Sequence, residues 1–145
     1  MRISDVLRGK GNEVATIGPA ATVSDLVTAL GERNIGAVVV VEDGVASPVV
    51  GIVSERDVVR RLRDRGGDLL TARVEEIMTR DVLTCSPEDT VDHLAEVMTE
   101  RRIRHMPVLR DGRLVGIVSI GDVVKSRISQ LESDREQLES YIVHG

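Results

Sequence analysis

Gly51-Ile52-Val53-Ser54-Glu55-Arg56-Asp57-Val58-Val59 and Gly116-Ile117-Val118-Ser119-Ile120-Gly121-Asp122-Val123-Val124 are two copies of one phrase, a short apolar strand running straight into a helix. At each junction a hydroxyl residue precedes a carboxylate by three positions, so both side chains stand beside the first helical turn, where unpaired backbone N–H groups point outward. S-x-x-D of this kind is a capping box, Ser closing the helix end and Asp reaching back. The same groups also make a polar ligand site, because a carboxylate, a hydroxyl and a positive helix end can hold a sugar diol and a phosphate. The two roles are compatible.

Upstream of each phrase the same order of elements occurs twice. Val14 to Ile17 reads as a strand stopped by Gly18-Pro19, and Thr22 caps a helix from Val23 to about Arg33, with Asp25 three residues on. Ala37 to Val41 is a β-branched, buried strand, Asp43-Gly44 a turn, and Val49 to Val53 the returning strand. In the second pass Val82 to Cys85, the helix after Thr90 up to about Arg102, Met106 to Leu109, Asp111-Gly112 and Leu114 to Val118 take the same places. The opening amphipathic turn, Ile3, Val6 and Leu7, is echoed by Val74, Ile77 and Met78. Fixed-order self-similarity of this kind indicates duplication.

Each half is therefore β-α-β-β-α, a mixed α/β fold of the α+β type, with a right-handed parallel crossover followed by an antiparallel hairpin. The expected organisation is a first repeat over 1–67, a second over 68–127 and a helical tail over 128–145, with Gly66 to Arg73 as the linker. Two such halves packed about a pseudo-two-fold axis bring both strand-to-helix junctions to the cleft between them, where small ligands lodge in layered folds.

Composition narrows the function. In 145 residues there is one Tyr and no Trp or Phe, so the core is aliphatic and a bound base is gripped by aliphatic side chains rather than stacked on a ring. A net charge of −5 argues against a nucleic-acid surface, which needs a basic stripe. One cysteine, Cys85, forms no internal disulfide and fits a reducing cytoplasm. No signal peptide or membrane-spanning run is expected, and the protein reads as soluble and cytoplasmic. Three scattered histidines, His93, His105 and His144, make no metal site. No phosphate-binding G-x-x-x-x-G-K-[ST] loop and no paired nucleophile and base occur, so no enzyme is expected. Met78, Met98 and Met106 read as core filler.

The doubled unit, with G-I-V-S-x-x-D-V-V closing each half and His105-Met106-Pro107-Val108 before the second hairpin, resembles a tandem pair of cystathionine-β-synthase-type (CBS) domains, a Bateman module, over roughly Met1 to Arg127. The resemblance implies a stand-alone, non-catalytic regulatory module. It would bind an adenosine derivative (AMP, ADP, ATP, NADH or S-adenosylmethionine), with or without Mg²⁺, between the repeats. It also implies a homodimer whose changed surface is read by an unidentified regulated partner.

Carried over residue by residue, Ser54 and Asp57, and Ser119 and Asp122, match the hydroxyl and ribose-binding carboxylate. The slot for the base falls on Thr16, Ile17, Ile35, Gly36 and Ala37 in the first half. In the second it falls on Thr84, Cys85, Ile103, Arg104, His105, Met106 and Pro107. A carboxylate accepting from both ribose hydroxyls makes charge-assisted bonds, so the physics agrees with the assignment.

The halves differ in charge. Arg56 corresponds to Gly121, and Arg101-Arg102-Ile103-Arg104-His105 to Arg33-Asn34-Ile35-Gly36-Ala37. A phosphate on a ribose held by Asp57 is expected to meet Arg56 and, across the cleft, Arg104 or His105, which ranks the Asp57 site first. Lys10 and Lys125 are further cations that the sequence does not place. In the tail, Ile128, Leu131, Leu138 and Ile142 keep an a/d spacing, with Arg135 at an intervening a position, fitting a helix that packs back or meets a second chain. The alternative function is a ligand-independent dimerisation or protein-interaction module, in which S-x-x-D is a cap and nothing more.

Overall fold

Two small sheets, each backed by helices, carry out the duplicated plan. The computed structural model describes residues 1–11, 14–42 and 48–144. The expected Asp43-Gly44 turn lies outside the described residues. The order is α1 (Ile3–Lys10), β1 (Thr16–Ile17), α2 (Val23–Arg33), β2 (Ala37–Val41), β3 (Val49–Ser54) and α3 (Glu55–Arg65), then α4 (Val91–Arg101), β4 (His105–Arg110), β5 (Arg113–Ser119) and α5 (Ile120–His144). Between α3 and α4 lie two 3-10 segments, Gly66–Thr71 and Val74–Glu76.

β1 pairs parallel with β2, and β2 antiparallel with β3, as the crossover and hairpin require. β4 and β5 form the second hairpin. It turns at Asp111-Gly112, both with positive φ (52° and 77°), the conformation an Asp-Gly turn is chosen for. The ladders slip at matching places, between Val40 and Val41 and between Val108 and Leu109.

The expected strand Val82 to Cys85 is reduced to a single parallel bridge from Cys85 to Val108. In the first half the Val39 N–H donates to the Ala15 carbonyl at 3.3 Å. The residue in Val39's place in the second half is Pro107, which has no N–H to give, so the ladder is one bond short.

Helix ends follow their local chemistry. Thr22 accepts from Asp25 N and Thr90 from His93 N, while Asn34 and Arg102 close α2 and α4 in the left-handed conformation. Val38, Val39 and Val40 are fully buried, each contributing on the order of 1.5–3 kcal/mol.

The packed units exchange their opening segments. Ile3 and Leu7 of α1 belong to the core of the second half, with Leu94, Met98, Val108 and Val118. Leu69, Ala72, Val74 and Ile77 belong to the core of the first, with Leu26, Val38 and Val53. The stretch Gly66 to Arg73, expected as a linker, is thus structural: Leu69 is fully buried.

Two glycines make the exchange fit. A Cβ at Gly51 would stand 2.5 Å from Met78 Sδ, and one at Gly116 would stand 2.5 Å from Leu7 Cδ2. Met78 and Leu7 therefore occupy equivalent places over equivalent strands. The tail continues α5 without a break. Arg127 is paired with Asp92 of α4, and beyond it Ile128, Leu131, Leu138 and Ile142 are exposed by 51% to 78%, so this stretch does not pack back on the chain.

Candidate functional site

The two halves meet where β2 and β4 begin. Gly36 and His105 face each other there, a Cβ at Gly36 falling 3.5 Å from His105 Nε2. In each half the loop entering the strand is tied to the start of the helix that follows the hairpin. Glu55 N donates to the Gly36 carbonyl at 3.0 Å, and Ile120 N donates to the Arg104 carbonyl at 2.8 Å. Gly36, Ala37 and His105 border two clefts, one on either side.

The first cleft, about 300 Å³, collects Ser54, Arg56 and Asp57 from one half and Ile103, Arg104 and His105 from the other. It is also lined by Arg60 and Thr79, which the sequence reading did not name, and by Arg102, which it named in the basic run but not as a site residue. Arg60 had a signal, since it follows Arg56 by one helical turn. Four arginines stand here against two carboxylates, Glu55 and Asp57.

The capping box at this cleft is complete. Ser54 N donates to Asp57 Oδ2 at 2.9 Å, Ser54 Oγ to the same oxygen at 3.1 Å, and Asp57 N to Ser54 Oγ at 3.3 Å. Among the described residues nothing donates to Asp57 Oδ1. Among the described residues no cation comes within 4.0 Å of this carboxylate either. The cap uses one oxygen and leaves the other.

The second cleft, about 470 Å³, is lined by Lys10, Ala15, Arg33, Ile35, Ile117 and Ser119 in addition to the shared residues. Asp122 does not line it. Its Oδ2 accepts from Ser119 N at 2.9 Å and from Lys10 Nζ at 2.6 Å, and Lys10 also donates to the Ile117 carbonyl at 3.0 Å. The carboxylate faces instead a groove between α1 and α5, bordered by Lys10, Lys125 and Ser129. Burial raises the Asp122 pKa, but the Lys10 ammonium and the Ser119 hydrogen bonds outweigh it and hold the group below the usual carboxylate value. His105 is pushed below the ordinary histidine value, first by burial and then by the charges of Lys10 and Arg104, against the opposing pull of Asp122 and Glu55.

The remaining expected site residues lie elsewhere. Thr16 is exposed on β1, and Ile17 packs on the first core. Thr84 and Cys85 border a separate depression beside α4, together with His93 and Met106. Met106 and Pro107 are both buried in β4, on opposite faces of the strand, Met106 in the core with Leu94 and Met98. The Cys85 thiol is pushed up to about 12 by burial and by the nearby Asp89, so it stays protonated and inert. Among the described residues no group of three His, Cys, Asp or Glu is arranged to hold a metal ion, and no helix is long and apolar enough to cross a membrane.

A family model described as "CBS domain" matches residues 3–64 and 74–129. The chain is 36% identical over 149 residues to the CBS domain-containing protein CBSX3, mitochondrial, of Arabidopsis thaliana, covering 99% of this chain and 72% of that protein. The crystal structure of a CBS-domain containing protein from Agrobacterium tumefaciens superposes with a TM-score of 0.82 at 42% identity, covering 88% of this chain and 99% of the other. The CBS domain pair of protein MJ0100, solved in complex with 5′-methylthioadenosine and S-adenosyl-L-methionine, gives a TM-score of 0.77 at 27% identity over 90% of this chain and 98% of that one.

Proposed function

The chain belongs to the CBS-domain family, carrying the domain twice, and we propose that it is a non-catalytic sensor that binds an adenosine derivative in the first cleft and passes its state to a partner protein through a dimer. The observation that carries this reading is the Asp57 carboxylate. One of its oxygens is spent on the helix cap and the other is uncommitted, at the foot of a cleft built by both halves and rimmed by Arg56, Arg60, Arg102 and Arg104. A ribose diol donating to Asp57 puts its phosphate among those guanidiniums, which suit phosphate oxygens by charge and by their forked geometry. Ser54, Ile103 and His105 complete the contact from the two halves.

The same charges rank the ligands. AMP, ADP, ATP and NADH bring anions to a cationic rim, with Mg²⁺ arriving only on a polyphosphate. S-adenosylmethionine, the cationic ligand in the MJ0100 complex, is disfavoured here. Because the cleft is shared, an occupant that bridges the halves biases their relative arrangement, which is what a switch requires.

The dimer is supported by exposed apolar side chains, Val59 on α3 and Leu131, Leu138 and Ile142 on α5. That surface also favours the second reading, a ligand-independent dimerisation module. Thermal denaturation of the purified chain against AMP, ADP, ATP, NADH and S-adenosylmethionine separates the two. Ligand at 100 times its dissociation constant adds about 2.7 kcal/mol, so the sensor reading expects a rise with the anionic nucleotides that Asp57→Ala sharply reduces. An unmoved melting point across the whole panel leaves the dimerisation module standing alone.

A further inference from the structure

We propose that Lys10 is a built-in occupant of the second ribose position: by pairing with Asp122 it closes that position and confines the chain to one nucleotide, in the first cleft. This rests on the reading of Asp57 and Asp122 as equivalent ribose acceptors. The duplication makes the two junctions alike in their Ser-to-Asp cap, with Ser119 N on Asp122 Oδ2 at 2.9 Å and Ser54 N on Asp57 Oδ2 at the same distance. They differ in what meets the carboxylate next. Lys10 Nζ stands 2.6 Å from Asp122 Oδ2 and 3.0 Å from the Ile117 carbonyl, a seat with two acceptors for one ammonium.

The exchange of opening segments explains why only one junction is closed. Leu7 lies over Gly116 as Met78 lies over Gly51. Three residues beyond Leu7 the chain places Lys10, and three residues beyond Met78 it places Asp81. An acidic side chain cannot neutralise Asp57, and among the described residues no cation takes Lys10's role there. Lys10 also borders the second cleft while Asp122 does not, so the lysine and not the carboxylate lines that cavity. A ribose entering that cleft meets a donor where the first cleft offers an acceptor. Lys10 and Asp122 are 38% and 26% exposed, so the pair is open to solvent on one side and weakens as salt is raised.

The test is calorimetric titration with ADP of the full chain, of Lys10→Met and of Lys10→Arg, each also in the Asp57→Ala background. The expected result is one ADP per chain for the unmodified protein and for Lys10→Arg, which keeps the cation, and two for Lys10→Met. With Asp57→Ala alone the first site is expected to weaken roughly tenfold or more, and Lys10→Met in that background adds a second, tighter site. The proposal is overturned if Lys10→Met leaves the stoichiometry unchanged. It is equally overturned if the unmodified chain already takes two, or if Lys10→Met weakens binding, which would make Lys10 a phosphate contact. Loss of the ribose reading itself looks different: no ADP bound by the unmodified chain and none by Asp57→Ala. Even then a site gained in Lys10→Met supports the plug, and none gained rejects it.

Discussion

Ser54 and Asp57 cap each other across the first turn of α3, and the exchange consumes only one oxygen of the carboxylate. Cap and acceptor are therefore separable by mutation. Asp57→Ala is expected to lower stability by about 1 kcal/mol through the lost cap and to cost ADP affinity roughly tenfold or more, since a hydrogen bond to a charged group is worth about 1.5–3 kcal/mol. Ser54→Ala should match the stability loss with only a few-fold change in affinity. Urea denaturation and calorimetry on the two variants measure the split; equal affinity losses would mean that the carboxylate acts through the helix end alone.

Arg60 and Arg104 reach the first cleft from opposite halves. Replacing either with Ala is expected to weaken ADP binding while leaving adenosine binding unchanged, because the guanidiniums address phosphate and not the nucleoside. Fluorescence competition with the two ligands reads the difference. The loss should shrink as salt is raised, in keeping with exposed charges.

His105 supplies a pH dependence. Burial and the charges of Lys10 and Arg104 hold its folded pKa below the ordinary 6.5. The unfolded chain therefore binds the proton more readily, and stability contributed by this group is complete above pH 6.5 and lost as pH falls toward the folded value. Asp122, also lowered, contributes stability that is complete above the ordinary carboxylate value of 3.8 and lost as pH falls from there toward the folded value. Melting curves between pH 7.5 and 5 should slope downward for the unmodified chain and be flatter for His105→Gln. An unchanged slope in that variant would assign the effect to another group.

Two glycines should respond in opposite directions to Ala. Gly51→Ala drives a Cβ to 2.5 Å from Met78 Sδ and 3.0 Å from the Thr79 carbonyl, backbone that cannot yield, and is expected to destabilise by about 1–3 kcal/mol. Gly31 lies inside α2 with nothing within 4 Å of a new Cβ, so Gly31→Ala should stabilise by about 0.5–1 kcal/mol. Thermal melts of the pair check both signs.

On α5, Leu138 is 64% exposed and follows Leu131 by seven residues. Leu138→Asp should leave the monomer's fold unaffected and shift the chain toward monomer in sedimentation velocity, because a charge at a d position of a helix pair is buried only on association. Unaltered sedimentation would move the contact to the α2 and α3 face, where Val27 and Val59 are exposed.

Most of the fold was written in local patterns. The β-branched run of β2, Thr22 with Asp25 at the start of α2, and Asp111-Gly112 between β4 and β5 each carry their own geometry. What local patterns do not carry is a missing bond on a neighbouring strand, which is why Pro107 reduces the expected strand at Val82 to Cys85 to one bridge. Of the site, Arg56, Asp57, Arg104 and His105 come together at the first cleft because duplication fixes which junctions face each other. Strand alternation sends Met106 into the core and Pro107 to the opposite face, where it is also buried. Lys10 was the hardest to place: its partner lies more than a hundred residues away, and only the echo of Ile3 and Leu7 in Val74 and Met78 hinted that α1 crosses to the other half.

That crossing means the duplicated gene product cannot be unstitched into two working copies. A cut after residue 67 would strip the first copy of the segment roofing its sheet, and would leave the second with a vacant groove above Gly116. Either fragment would then have to borrow the lost piece from another molecule, so the smallest heritable unit of this architecture is the pair.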